Sequence, residues 1–161
     1  RYLGTWYEVA RLDHSFERGL SHVTADYSMR EDGGIRVINR GYSAEEGAWQ
    51  QAEGRAYRVK DNQPAHLKVS FFGPFYGSYI VFELDSADYQ YAFVSGNNSN
   101  YLWLLSRTPT ISETLKNQFL HSAETLGFDV TNLIFVDQDL NQTLSQTLTA
   151  LPDTHQQGAE Q

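Results

Sequence analysis

The sequence predicts an all-β protein, an eight-stranded antiparallel up-and-down β-barrel followed by one α-helix and a short flanking strand. Eight short runs rich in β-branched and aromatic residues follow one another up to residue 107. The segments between them have hairpin length, which favours antiparallel neighbours. Only after the eighth run does the apolar spacing become helical. Closing such strands into a barrel removes unpaired edges and leaves room inside for side chains or one small ligand.

The eight candidate strands are defined by local composition. They span residues 6–12, 23–30, 35–42, 49–60, 65–72, 78–84, 89–94 and 101–107. Turn-forming segments rich in Gly, Asn, Asp or Pro separate several of them, namely 32–34, 44–47, 61–64 and 96–100. We therefore expect a meander in which each strand pairs with the next.

Beyond residue 107 the pattern predicts a helix at about 111–126. Thr110 and Glu113 match a capping box, and Gly127 is placed to end the helix. The helix should pack outside the barrel, and residues 133–136 should form the flanking strand, so that the barrel domain covers residues 1–137. The polar tail, residues 138–161, is expected to be either helical or poorly ordered. Its regularly spaced leucines leave two interpretations open, a loosely docked tail or a partner-binding helix in a possible homodimer.

Composition excludes several function classes. The chain has 161 residues, no cysteine and a formal net charge of −8. The length suits one domain, and the lack of cysteine excludes disulfides, thiolate zinc sites and thiol nucleophiles. The negative charge disfavours a nucleic-acid partner. Because the chain starts at Arg1, we interpret it as a mature or trimmed form.

Catalytic and cofactor motifs are not found. The five histidines are scattered without metal-ligand spacing, and no nucleophile elbow, phosphate-binding loop or dinucleotide fingerprint is present. We therefore expect no catalytic residue, no metal and no cofactor. Glu8 is the one exception to consider, because it shares a strand face with Trp6 and should be buried with a raised pKa. It is either a hydrogen-bonded structural glutamate or the acid of a lipid-modifying enzyme.

Three segments resemble the signature regions of the lipocalin family. They are Gly4-Thr-Trp-Tyr7, the stretch from Leu84 to Val94, and Leu102-Trp-Leu-Leu-Ser-Arg107-Thr-Pro109. Residues 1–7, 69–77 and 106–112 are most similar to the bacterial lipocalins. The likeness covers about residues 1 to 137, and three correctly ordered segments are far more specific than a lone Gly-x-Trp.

The resemblance implies a cup that holds a lipophilic molecule. Bacterial members of the family are typically lipoproteins on the periplasmic side of the outer membrane, and they bind fatty acids or phospholipids, with lysophospholipids preferred. Their anchor is an acylated N-terminal cysteine, which this chain does not contain. The resemblance therefore implies binding and transport of such lipids at the bacterial envelope. The alternatives are the enzyme that uses Glu8 and an interaction module built on the leucine-spaced tail.

The candidate site residues follow from alternation and resemblance together. Alternation places Val37 with Asn39 and Trp103 with Leu105 on common strand faces, but it does not show which face is inside. In related lipocalins the positions of Tyr27, Asn39 and Trp103 line the cup, and we add Val37, Phe71, Tyr79 and Phe93. A structural signature is expected at the closed end, where the Arg107 guanidinium should stack on the Trp6 indole; its members are Gly4, Trp6, Tyr7 and Arg107.

Overall fold

The structure is a computed structural model that describes residues 1–72 and 75–139. These residues contain nine β-strands and one α-helix. The strands are β1 (Gly4–Leu12), β2 (Leu20–Met29), β3 (Ile35–Ser43), β4 (Ala48–Arg58), β5 (His66–Phe72), β6 (Phe75–Leu84), β7 (Tyr91–Ser95), β8 (Leu102–Ser106) and β9 (Leu133–Phe135). Helix α1 spans Glu113–Thr125, and a 3-10 turn spans Val130–Asn132. The leucine-spaced tail from Leu140 onward lies outside the described residues.

The first eight strands form a closed antiparallel barrel. Each strand pairs with the next along the chain, and β1 also pairs with β8. The sheet therefore returns to its first strand, which removes the edges that an open sheet would expose. This confirms the predicted eight-stranded up-and-down barrel with one helix and an additional strand bonded to its outside.

A β-bulge in β1 changes which side chains enter the barrel. The pairing of β1 with β8 shifts between Glu8 and Ala10. Consequently Val9 and Ala10 both lie in the cluster outside the barrel, while Glu8 and Arg11 are both buried on the inner side. A bulge adds one residue to a strand and so reverses the alternation beyond it.

The chain after α1 completes the seam of the barrel. β1 pairs with β2 only from Gly4 to Tyr7, and further along β1 its residues 10–12 pair with β9 instead. Where β1 and β2 separate, the Gln138 amide donates hydrogen bonds of 2.7 Å and 3.0 Å to the carbonyls of Glu8 and Val23. The segment after β9 thus supplies partners to backbone groups that sheet pairing leaves unbonded. Gln138 lies one residue beyond residue 137, where the barrel domain is predicted to end. The division of the chain at that point stays a prediction.

Two separate hydrophobic clusters hold the fold together. The inner cluster lies within the barrel and comprises Trp6, Ala25, Tyr27, Val37, Ala56, Ala92, Val94 and Leu105. The outer cluster lies between the barrel wall and α1 and comprises Val9, Ala10, Leu12, Phe93, Leu102, Leu104, Phe119 and Ala123. Both faces of β7 and β8 are therefore apolar, which is the arrangement that alternation alone cannot resolve.

Helix α1 begins two residues later than a Thr110 cap would place it. Ser112 is the N-cap, and its hydroxyl accepts a 3.1 Å hydrogen bond from the Leu115 amide. The predicted capping box from Thr110 to Glu113 is thus wrong, since Glu113 is the first helical residue. The helix ends at Thr125, one residue before the predicted end at about 126. Gly127 follows with a φ of +88°, a conformation that glycine adopts without strain after a helix.

Candidate functional site

The closed end of the barrel is built on Trp6 and Arg107. The Arg107 guanidinium lies 3.9 Å from the centre of the Trp6 ring, which is fully buried. The same guanidinium donates hydrogen bonds to four backbone carbonyls, those of Arg1, Leu3, Thr5 and Tyr89. A Cβ on Gly4, which has a φ of +103°, would lie only 3.4 Å from Arg107 Nη1. Arg107 therefore joins the N-terminal segment to the end of β8.

Three tyrosine hydroxyls lie just inside this closed end. Tyr79 forms hydrogen bonds of 2.6 Å with the Tyr2 hydroxyl and 3.0 Å with the Tyr27 hydroxyl. Burial raises the pKa of Tyr2 to about 12 and raises the pKa values of Tyr27 and Tyr79 well above their ordinary value. All three phenols are therefore uncharged at neutral pH, so the side chains on the inner side of the floor are polar without carrying charge.

The side wall of the interior contains six of the seven predicted ligand-binding residues. Five of them lie in or against the inner cluster, namely Tyr27, Val37, Phe71, Tyr79 and Trp103. Asn39 shares the inner face of β3 with Ile35 and Val37, since alternate residues of a strand point the same way. The structure thus brings these six side chains to one interior surface.

Several inward-facing side chains are only half-buried. Phe71, Tyr79 and Trp103 pack against the inner cluster, yet each keeps part of its surface accessible. The Tyr79 hydroxyl points inward, where it forms hydrogen bonds with the hydroxyls of Tyr2 and Tyr27.

Phe93 is not part of this surface, and the prediction that it faces the interior is wrong. Its ring is fully buried in the outer cluster, and its centre lies 5.0 Å from that of Phe119 on α1. On β7 the neighbours Ala92 and Val94 face the interior instead. The prediction chose the wrong face of β7, because both of its faces are apolar.

A buried polar cluster occupies the interior toward the other end. Arg11 Nη1 lies 3.2 Å from Glu8 Oε1, and Arg11 Nη2 donates to the backbone carbonyls of Glu17 and Leu20 at 2.8 Å and 3.2 Å. The Glu17 carboxylate accepts hydrogen bonds from His14 Nε2 at 3.1 Å and from Trp103 Nε1 at 3.3 Å. Glu17 belongs to the 13–19 loop between β1 and β2, so this loop is held to the barrel by charged groups.

The two carboxyl groups of the cluster have opposite pKa shifts. Burial, together with the negative charge of Glu17, raises the pKa of Glu8 well above its ordinary value. Burial alone would also raise the pKa of Glu17, but hydrogen bonds from Glu8 and His14 and the charge of Arg11 outweigh it and lower that pKa. Of the two carboxyl groups, Glu17 therefore holds the negative charge more readily than Glu8.

Arg11 and Glu17 are the members of this cluster that sequence reasoning missed. Glu8 and Arg11 are three apart, and in a regular strand their side chains would point to opposite faces. No residue pattern announces the bulge that brings them together. The one available signal was the presence of Glu17 and His14 in a long connection beside a strand that already carries an inward acid.

Neither a metal site nor a spanning helix is found in the described residues. Within residues 1–72 and 75–139, no three side chains of His, Asp or Glu are grouped so that they could hold a metal ion. In the same residues no helix has the length and apolar character that crossing a bilayer requires.

Comparison with known proteins decides the family. Residues 1–138 match the model of the lipocalin-like domain. The chain belongs to the lipocalin family. This lipocalin is 64% identical over 137 residues to the outer membrane lipoprotein Blc of Vibrio cholerae, covering 85% of this chain and 80% of the relative. It is 58% identical over 138 residues to the Escherichia coli K12 protein of the same name, covering 86% and 77%. The predicted resemblance to bacterial lipocalins is confirmed.

More distant relatives share the fold. Temperature-induced lipocalin-1 of Arabidopsis thaliana is 34% identical to this lipocalin over 142 residues, which cover 83% of this chain and 75% of the relative. Among solved structures, lobster apocrustacyanin A1 superposes with a TM-score of 0.70 at 18% identity, covering 87% of this chain and 79% of the other. At that identity the likeness supports the barrel architecture alone.

Proposed function

We propose that this lipocalin binds and carries single-chain lipids, fatty acids or lysophospholipids, inside its barrel at the bacterial cell envelope. The main support for this proposal is the set of half-buried aromatic side chains that face the interior, Phe71, Tyr79 and Trp103. Apolar and aromatic walls with a few polar groups are typical of sites for lipophilic molecules. Tyr27, Val37 and Asn39 complete the proposed wall.

The energetics of burial favour an acyl chain as the ligand. At ~0.8 kcal/mol per buried methylene, a chain of ~16 carbons gains roughly 12 kcal/mol, against an association cost of about 4–15 kcal/mol. Long chains should therefore bind and short ones should not. The uncharged tyrosine hydroxyls at the floor tolerate a chain terminus, and the charged groups near the 13–19 loop suit a polar head.

The proposed location is the periplasmic face of the outer membrane. It is supported by relatives at 58% and 64% identity that carry the name outer membrane lipoprotein. A homodimer is a separate hypothesis, which size-exclusion chromatography of the full chain beside one ending at Asp139 would test.

Mass spectrometry under native conditions tests the proposed ligand class. Freshly purified protein is expected to carry a co-purified lipid of fatty-acid or lysophospholipid mass. After delipidation, palmitate and a palmitoyl lysophospholipid should each bind with one-to-one stoichiometry, while butyrate should not bind. Failure of both long-chain ligands to bind the delipidated protein would contradict the proposal.

An enzyme that uses the same interior is the second candidate, and buried Glu8 is the observation that favours it. If Glu8 were a catalytic acid, incubation with a lysophospholipid would release a new lipid product, and Glu8→Gln would abolish that release. Stoichiometric recovery of intact ligand would instead support a carrier.

A further inference from the structure

The 13–19 loop places one acidic side chain inside the barrel. Most residues of this loop are exposed, but the side chains of His14 and Glu17 keep only 9% and 13% of their surface accessible. The Glu17 carboxylate reaches Trp103, a residue of the proposed lipid-binding wall. Glu17 therefore occupies interior space close to that wall.

Arg11 binds this loop with incomplete use of its hydrogen-bonding capacity. The guanidinium has five N–H donors, and three are used, toward Glu8 and the carbonyls of Glu17 and Leu20. Its Nε is buried without a hydrogen-bond partner, and Nη1 lies 3.9 Å from Glu17 Oε2, too far for a hydrogen bond. A carboxylate or phosphate placed against Arg11 could form the two-bond contact that Glu17 does not form.

Charge balance requires that an anionic head group replace the Glu17 carboxylate beside Arg11 rather than bind next to it. Arg11 is the one buried Lys or Arg within residues 1–72 and 75–139, and the carboxyl groups of Glu8 and Glu17 already lie 3.2 Å and 3.9 Å from its Nη1 atom. A second anion beside Glu17 would leave a buried, uncompensated negative charge, which is costly. An anionic head group can therefore approach Arg11 only if the Glu17 carboxylate leaves.

We propose that Glu17 is an intramolecular competitor of the ligand, whose anionic head group displaces the Glu17 carboxylate from Arg11, His14 and Trp103 and thereby releases the 13–19 loop from the barrel. The inference rests on the proposed function, since it requires an amphiphile in the interior. The chemistry that Arg11 recognises is shared by a carboxylate and a phosphate. The prediction therefore covers both head groups and excludes an uncharged one.

Binding of three twelve-carbon ligands tests the competition. Dodecanoate, dodecyl phosphate and dodecanol are titrated into delipidated protein at neutral pH by calorimetry. The comparison is made in a Glu8→Gln background, because loss of the Glu17 charge would otherwise let Glu8 ionise and pair with Arg11. Adding Glu17→Gln is expected to raise the affinity for dodecanoate and dodecyl phosphate by about tenfold and to change the affinity for dodecanol by no more than about twofold.

Glu45→Gln in the same background is the matched control. Glu45 lies exposed in the loop between β3 and β4, at the same end of the barrel, and its substitution removes the same charge. Unchanged affinities are expected for all three ligands. Equal affinities of the two double variants for the anionic ligands would overturn the inference. Tightening of dodecyl phosphate alone would identify phosphate as the displacing group, and tightening of dodecanoate alone would identify carboxylate.

Hydrogen exchange of the unaltered protein tests release of the loop without any substitution. The amides of Glu17 and Leu20 donate to the carbonyls of His14 and Glu17. Dodecanoate should accelerate their exchange, and dodecanol should not. If all ligands bind and exchange in the loop is unchanged or slower, the competition is refuted while the carrier function stands. If none of the ligands binds any form of the protein, the proposed function itself fails, and the competition fails with it.

Discussion

Arg107 and Trp6 are 101 residues apart in the chain, and the guanidinium of one covers the indole of the other at 3.9 Å. Arg107 also holds four backbone carbonyls, three of which belong to the N-terminal segment. The contact therefore closes the floor of the barrel and attaches the chain before β1 to the end of β8. Its role is to stabilise the closed end, away from the proposed head-group position.

Replacing Arg107 with Lys should lower the free energy of unfolding by about 2 kcal/mol, because a single ammonium cannot retain the stacking and the forked hydrogen bonds. Chemical denaturation measures the change. Arg36→Lys is the control, since the Arg36–Glu53 pair is exposed and should contribute less than about 1 kcal/mol. Equal losses in the two variants would contradict the role assigned to Arg107.

Trp103→Ala should weaken binding of a fluorescent long-chain fatty acid by at least about tenfold, because the indole lies on the inner wall and its loss removes contact area worth a few kcal/mol. Fluorescence titration measures the affinity. Trp49→Ala is the matched control, since Trp49 is 56% exposed on the outer side of β4. Unchanged affinity in the Trp103 variant would exclude this residue from the site.

Phe93→Ala should lower stability and leave fatty-acid affinity unchanged. The ring is fully buried against Phe119, so its removal creates a cavity under α1 and should cost about 3–5 kcal/mol of unfolding free energy. Fatty-acid affinity, measured at a temperature where the variant remains folded, should not change. Met29→Ala, at a site 60% exposed, should alter neither quantity. A selective loss of binding in the Phe93 variant would return this residue to the lining of the cup.

Glu8→Gln should make stability less dependent on pH. The raised pKa of Glu8 means that the folded protein keeps a proton that the unfolded chain releases. Stability therefore falls as pH rises from the ordinary carboxyl pKa to the raised folded value, by about 1.4 kcal/mol for each pKa unit between them. The amide preserves the shape and cannot ionise, so the variant should gain stability over the parent protein at pH 7.

Denaturation at pH 4 and pH 7 gives the measurement. The difference between Glu8→Gln and the parent protein should be small at the lower pH and larger at the higher one. Glu31→Gln, at an exposed position, should show no such pH-dependent difference. A constant difference across this range would mean that folding does not raise the pKa of Glu8.

The barrel itself could be predicted because its signals are local. Strand runs, hairpin-length connections and the change to helical spacing each depend on short stretches of chain. The Trp6–Arg107 contact could be predicted because Trp6 starts the first predicted strand and Arg107 ends the eighth. The inward positions of Tyr27, Asn39 and Trp103 came from family resemblance rather than from the pattern. Phe93 was misassigned because no such guide existed for β7.

The amino-acid order alone therefore determined the fold class, the succession of eight strands and the residues able to close the barrel. The tertiary structure decided which face of β7 packs under α1, that Gln138 completes the seam, and that a bulge brings Arg11 beside Glu8 to receive the 13–19 loop. The physical reason is that alternation defines two faces of every strand, whereas the inside of a closed sheet exists only once distant strands have paired and irregularities have shifted their register.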